Sequence, residues 1–81
     1  MSATKQLFIL RHAKSSWDNP GLEDHERPLA PRGQRSCVVM SEHLRTHAIK
    51  PDLVLCSSAR RTRETLEGVA PTGQHLIEPK L

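Results

Sequence analysis

Aromatic side chains are almost missing from this chain: Phe8 and Trp17 are its only two, and it has no tyrosine. Proteins that hold single-stranded nucleic acid interleave stacking aromatics with their basic groups, so that class of function recedes. Cysteine is equally sparse. Cys37 and Cys56 form no CxxC pair, and they read as small buried apolar residues rather than as a disulfide. Long apolar runs are lacking too. No window approaches the ~18 uninterrupted apolar residues of a membrane span, and the opening MSATKQ lacks the basic-then-apolar order of a secretory leader. The expected compartment is the cytoplasm.

What is present is an ordinary soluble balance, 36% hydrophobic and 26% charged. Twelve Lys and Arg face nine Asp and Glu, a net charge of +3 that suits an anionic substrate as well as nucleic acid. Eighty-one residues make one small domain with a thin core, because a chain this short buries only roughly 60–65% of its unfolded surface.

Two short apolar runs, Leu7 to Leu10 and Leu53 to Cys56, have the length and composition of strands buried on both faces. Between them a polar stretch from Lys14 to Arg27 is broken by Asn19-Pro20-Gly21, a turn signal. Pro31 can open a helix, since proline at the first position loses no needed hydrogen bond. Cys37, Met40, Leu44 and Ala48 then recur three and four apart on one stripe, and the helix should end before Pro51. After the second run a serine at 57 or 58 can cap a further helix, whose inner face is Ala59, Thr62, Leu66 and Val69 and which Pro71 stops. His75 to Glu78 reads as a third short strand. The order β-loop-α-β-α-β predicts a mostly parallel α/β sheet with flanking helices, cut off after the third strand. Parallel sheets of this kind usually carry more than three strands, which suggests one partial domain over residues 1–81.

Both principal apolar runs end in residues suited to phosphate. Arg11-His12 follows the first, and SSARRTR (residues 57–63) follows the second into a helix N-terminus. Ligands of parallel α/β folds collect at such strand ends. Helix N-termini offer unpaired N–H groups, and guanidiniums offer paired, permanently charged donors. A neutral imidazole beside them presents a lone pair able to attack phosphorus.

The spacing of three blocks is more specific. Arg11-His12-Ala13-Lys14-Ser15 resembles the opening signature of the histidine phosphatase superfamily, usually Arg-His-Gly at the end of the first strand. Arg27-Pro28-Leu29 followed by Gly33 is similar to that family's Arg-Pro-Leu and downstream glycine. Ser57 through Thr65 is similar to its second block, in which Ser-Pro-Leu-x-Arg-Ala-x-Gln-Thr is common. The opening and the Arg-Pro-Leu segment look most like the SixA-like phosphohistidine phosphatase branch. Ala13 replaces the usual glycine, Ser58 replaces a common proline, and Lys14 stands where phosphoglycerate mutases carry glutamate. The family's second catalytic histidine and its acidic proton donor have no match after Leu66, and His75 lies in another context.

The resemblance implies a phosphoglycerate mutase-like fold and the N-terminal half of a metal-independent, cofactor-free phosphatase. His12 would be the nucleophile that accepts the phosphoryl group. Arg11 and Arg61 would clamp the phosphate, with Arg27 as a further contact; Arg60 and Arg63 fall at variable positions. The implied substrate is protein phosphohistidine or a small phosphorylated molecule, without nucleic acid or membrane partners. The alternative is a remnant that binds phosphate-bearing ligands through Arg11 and Arg61 without turnover. Two plainer features complete the reading. His43 and His47, four apart on the first helix, are expected to be neighbours on a polar face rather than metal ligands, and Trp17 is expected to pack over the loop.

Overall fold

A computed structural model of the chain describes residues 5–81. A single helical turn, η1 (Asp24–Glu26), precedes α1 (Pro31–Thr46), β1 (Leu53–Ser57), α2 (Arg60–Val69) and β2 (Gln74–Glu78). The two strands are parallel, with Leu53 opposite Gln74 and Ser57 opposite Glu78. Parallel neighbours need a crossover between them, and α2 supplies it. The order and the parallel pairing are those of the expected α/β architecture.

Pro31 occupies the first turn of α1, where its missing N–H costs nothing. The helix closes earlier than the apolar stripe suggests. Ala48 has φ 52°, and the chain reverses there as Ile49 donates its N–H to the Leu44 carbonyl. Ala48 is exposed and therefore leaves the stripe, and Ile49 takes the half-buried place instead. α2 ends in a similar way, with Ala70 at φ 50° bonding back to Leu66 just before Pro71. At its start the cap residue is Ala59, with no side-chain cap. The Ser57 hydroxyl only reaches the Ala59 N–H at 3.4 Å. Thr62 tightens the turn instead, meeting both the Ser57 and Ala59 carbonyls.

The expected first strand is the main departure. Residues 7–10 join no strand, and Leu7 and Ile9 are 86% and 90% exposed. Their apolar character marks a segment able to be buried, but a strand exists only through a partner's N–H and C=O groups. Among the described residues, neither β1 nor β2 pairs with it.

α1 packs on α2 and touches neither strand. Leu29, Cys37 and Val69 form the core, with Ala13, Met40 and Leu44 against it. Both cysteines are buried and free, as the sequence suggested. Along β1, Val54 and Cys56 turn inward while Leu53 and Leu55 stay about half exposed. The sheet is thus covered on one face only.

Candidate active site

The segment that carries His12 is fastened at three points. The Ala30 N–H donates to the Lys14 carbonyl, and the Ser16 N–H donates to the Pro28 carbonyl, both at 2.8 Å. These bonds make an antiparallel bridge between Ser15 and Leu29. The Ala13 N–H donates to Thr65 Oγ1 at 3.0 Å, so residue 13 rests on the second turn of α2. Gly33 permits the first contact. A Cβ there would collide with the Lys14 carbonyl oxygen, so only glycine lets the start of α1 approach this segment.

His12 is half buried, and its Nδ1 lies 2.8 Å from the Ala13 carbonyl oxygen. A carbonyl oxygen only accepts, so Nδ1 carries the hydrogen. In the neutral ring the lone pair is then at Nε2. One backbone contact thereby selects the tautomer and orients the ring.

The arginines fall into two groups. Arg11 is exposed beside His12. Arg27 and Arg61 both reach Asp24 of η1. Arg27 is 7% exposed, with its guanidinium stacked 3.1 Å from the centre of the Trp17 ring, which covers the loop as expected. Its Nε donates to the Ser16 carbonyl, one terminal nitrogen to Ser15 Oγ and the other to Asp24 Oδ1. Arg61 donates one terminal nitrogen to the Asp24 carbonyl oxygen at 2.8 Å, and sets the other 3.0 Å from Asp24 Oδ2. The Arg27 hydrogen bond, then the nearby Arg61 charge, hold the Asp24 carboxyl below the usual carboxylate range. Arg60 pairs with Glu64 one turn along α2.

Three residues that sequence reasoning passed over build this arrangement. Thr65 is buried, accepting from Ala13 and donating to the Arg61 carbonyl. Glu64 accepts the Leu29 N–H at 2.7 Å, and that bond keeps its carboxyl ionised to lower pH than usual. Asp24 joins the two arginines. The signals were the Asp24–Arg27 and Arg60–Glu64 spacings of three and four, which pair charges on one helical face. Thr65 closes the second motif block, but its role was not legible there, because its partner Ala13 is 52 residues away.

Elsewhere, the His43 and His47 rings stack 4.1 Å apart on α1. Among the described residues no group of three or more metal-ligating side chains forms. A groove of about 330 Å3 between α1 and α2, lined by Leu29, Gln34, Cys37, Glu64, Glu67 and Gly68, contains none of the anion-binding donors.

Comparison with known proteins identifies the family. The model of the histidine phosphatase superfamily (branch 1) matches residues 7–81. An uncharacterised chloroplast protein of Arabidopsis thaliana is 43% identical over 68 residues, covering 84% of this chain and 31% of its own length. An uncharacterised protein of Mycobacterium tuberculosis is 49% identical over 57 residues, covering 70% of this chain and 35% of its own length.

Among solved structures, a candidate phosphohistidine phosphatase SixA from Nakamurella multipartitia superposes with a TM-score of 0.79 at 36% identity, covering 89% of this chain and 40% of that one. A candidate SixA from Agrobacterium tumefaciens gives a TM-score of 0.81 at 28% identity, with 88% and 48% covered. A protein histidine phosphatase SixA complexed with tungstate gives 0.79 at 26% identity, with 89% and 47% covered. The chain spans about a third of the length of the curated relatives it matches and less than half of these structures. On the match over residues 7–81, this chain belongs to the histidine phosphatase superfamily.

Proposed function

We propose that the chain supplies the nucleophile-bearing half of a phosphatase acting on protein phosphohistidine, with His12 Nε2 taking the phosphoryl group. The observation that carries this reading is the 2.8 Å contact between His12 Nδ1 and the Ala13 carbonyl, which leaves Nε2 as the lone-pair nitrogen. In the first step the Nε2–P bond forms as the bond from phosphorus to the leaving nitrogen breaks. The leaving imidazole takes a proton from solvent or from an acid outside the described residues. Water then attacks phosphorus, and the Nε2–P bond breaks as the O–P bond forms. The water's proton passes to solvent or phosphate, which returns the neutral ring and releases phosphate. Splitting the hydrolysis this way lowers each barrier, and the protein contributes mainly position and positive charge. Arg11 beside the ring and Arg61 on α2 provide that charge. Arg27 acts through the loop it anchors as well as through its charge. Residues 1–81 form one partial domain of this enzyme, and the cytoplasm is its proposed compartment.

The SixA neighbours support the substrate class, since they are named phosphohistidine phosphatases. Turnover of a phosphohistidine peptide, and trapping of an acid-labile phospho-protein, test the reading. Wild type forms the adduct and His12→Ala does not; an undiminished adduct in the variant rules His12 out.

One observation favours the second reading, phosphate binding without turnover. His25 lies against Ser58 Oγ, while His43, His47 and His75 make their contacts to each other or to nearby backbone carbonyls. Among the described residues no other histidine hydrogen-bonds to His12. Phosphate binding with no phospho-protein and no peptide turnover would select it.

A further inference from the structure

The two arginines that meet at η1 already hold an anion, and that anion belongs to the chain. Asp24 Oδ1 lies 3.1 Å from one terminal nitrogen of Arg27, and Asp24 Oδ2 lies 3.0 Å from one terminal nitrogen of Arg61. One oxygen on each guanidinium is also how two oxygens of a phosphoryl group would bridge them. We propose that Asp24 is a placeholder on a two-arginine anion seat, and that a dianionic phosphoryl group enters this seat by displacing the Asp24 carboxylate. This rests on the phosphatase reading above and adds to it a residue that sets which anions gain access.

The contacts around the seat distinguish a placeholder from a brace. Arg27 keeps its bonds to the Ser16 carbonyl and to Ser15 Oγ when the carboxylate leaves, and Trp17 still covers its face. Arg61 keeps its bond to the Asp24 backbone carbonyl, which does not depend on the side chain. Neither arginine needs the carboxylate to stay in place. The departing group is the loosest member of the set, because the Asp24 side chain is 68% exposed against 8% for Arg27 and 20% for Arg61. Rotation into solvent exposes one donor on each arginine, both aimed at the vacated position. A phosphoryl dianion brings two charges and three oxygens against one charge on the resident carboxylate, so it competes where a carboxylate or another monoanion does not. The seat is also joined to the His12 segment: the Arg61 carbonyl accepts from Thr65, whose oxygen accepts from Ala13.

The test is titration of the chain with inorganic phosphate at low ionic strength, followed calorimetrically and by the arginine side-chain resonances. Asp24→Asn and Asp24→Ala are compared with wild type after circular dichroism shows that each keeps its helices. Exposed ion pairs are weak, so removing the competitor should tighten phosphate binding by about two- to fivefold in both variants. The Arg61 and Arg27 resonances should respond, and Arg61→Gln in the Asp24→Asn background should erase the gain. Unchanged or weaker binding in both Asp24 variants overturns the proposal and makes Asp24 a brace or a bystander. Absence of phosphate binding in every variant overturns it as well. Failure of the phosphatase reading looks different: the gain at Asp24 persists while His12 never becomes phosphorylated.

Discussion

Thr65 shows how much a single hydroxyl holds at this site. Its oxygen accepts the Ala13 N–H at 3.0 Å while its hydrogen goes to the Arg61 carbonyl at 2.7 Å, inside a residue only 5% exposed. Valine has nearly the same shape and neither function, so Thr65→Val leaves the Ala13 amide without its partner. An unmade bond of this kind costs about 1–3 kcal/mol. The urea midpoint should therefore fall, and so should the rate of His12 phosphorylation, because residue 13 also supplies the carbonyl that orients the ring. Thr65→Ser, which keeps the hydroxyl, should recover most of the rate. Equal losses in the serine and valine variants would assign the effect to packing of the methyl group. Ala13 has a parallel double role: its backbone makes these bonds while its methyl packs on the core formed by Leu29, Cys37 and Val69. A glycine at that position would make the bonds without the packing.

At the scale of elements, the contact between α1 and α2 passes through Gly68. A Cβ at that position would stand 2.7 Å from Cys37 Cβ, a backbone-anchored atom that cannot swing aside. Two effects oppose each other in Gly68→Ala. Helix propensity favours alanine by about 1 kcal/mol, whereas overpacking costs roughly 1–3 kcal/mol. The close approach is between rigid groups, so the clash should win. Net destabilisation of about 1 kcal/mol is the expected outcome in urea denaturation followed by far-ultraviolet circular dichroism; a stabilised variant would mean that the helices separate freely. The elements themselves were legible in the sequence because their signals are local. Proline at 31 and 71, the stripe from Cys37 to Leu44 and the run from Leu53 to Cys56 act within a few residues of themselves. The segment from Leu7 to Leu10 carried the same apolar signal, yet its strand state depends on a partner that the signal cannot name. The site divided in the same way. His12, Arg11 and Arg61 were marked by motif, but Thr65, Glu64 and Asp24 act through partners brought together only by the fold. Arg27 shows both aspects, since its motif suggested phosphate while its burial shows that it also anchors the loop.

At the scale of the whole molecule, the described residues are thin, 15 Å along the shortest axis, with helices on one side of a two-stranded sheet. On the uncovered face of the sheet, Leu53 and Leu55 of β1 and Leu76 of β2, opposite Leu55, are each between 44% and 56% exposed, and Leu7 and Ile9 lie almost fully in water. Apolar side chains grouped in this way mark a surface that is buried by something in its working state. Both strands also present outer edges with unpaired N–H and C=O groups, which template pairing with another chain. In the solved SixA structures the matched region accounts for less than half of the polypeptide, so much of those proteins lies outside this stretch. The 81-residue chain by itself should therefore bind a hydrophobic dye and associate with rising concentration, as seen by sedimentation velocity. Replacing Leu55 and its cross-strand neighbour Leu76 together by lysine places two charges amid these exposed apolar residues without touching the core around Cys37. Dye binding and association should both drop several-fold, while the helical signal stays. Association unaffected by the double variant would move the responsible surface to the segment from Leu7 to Leu10, where Leu7→Lys and Ile9→Lys make the corresponding test.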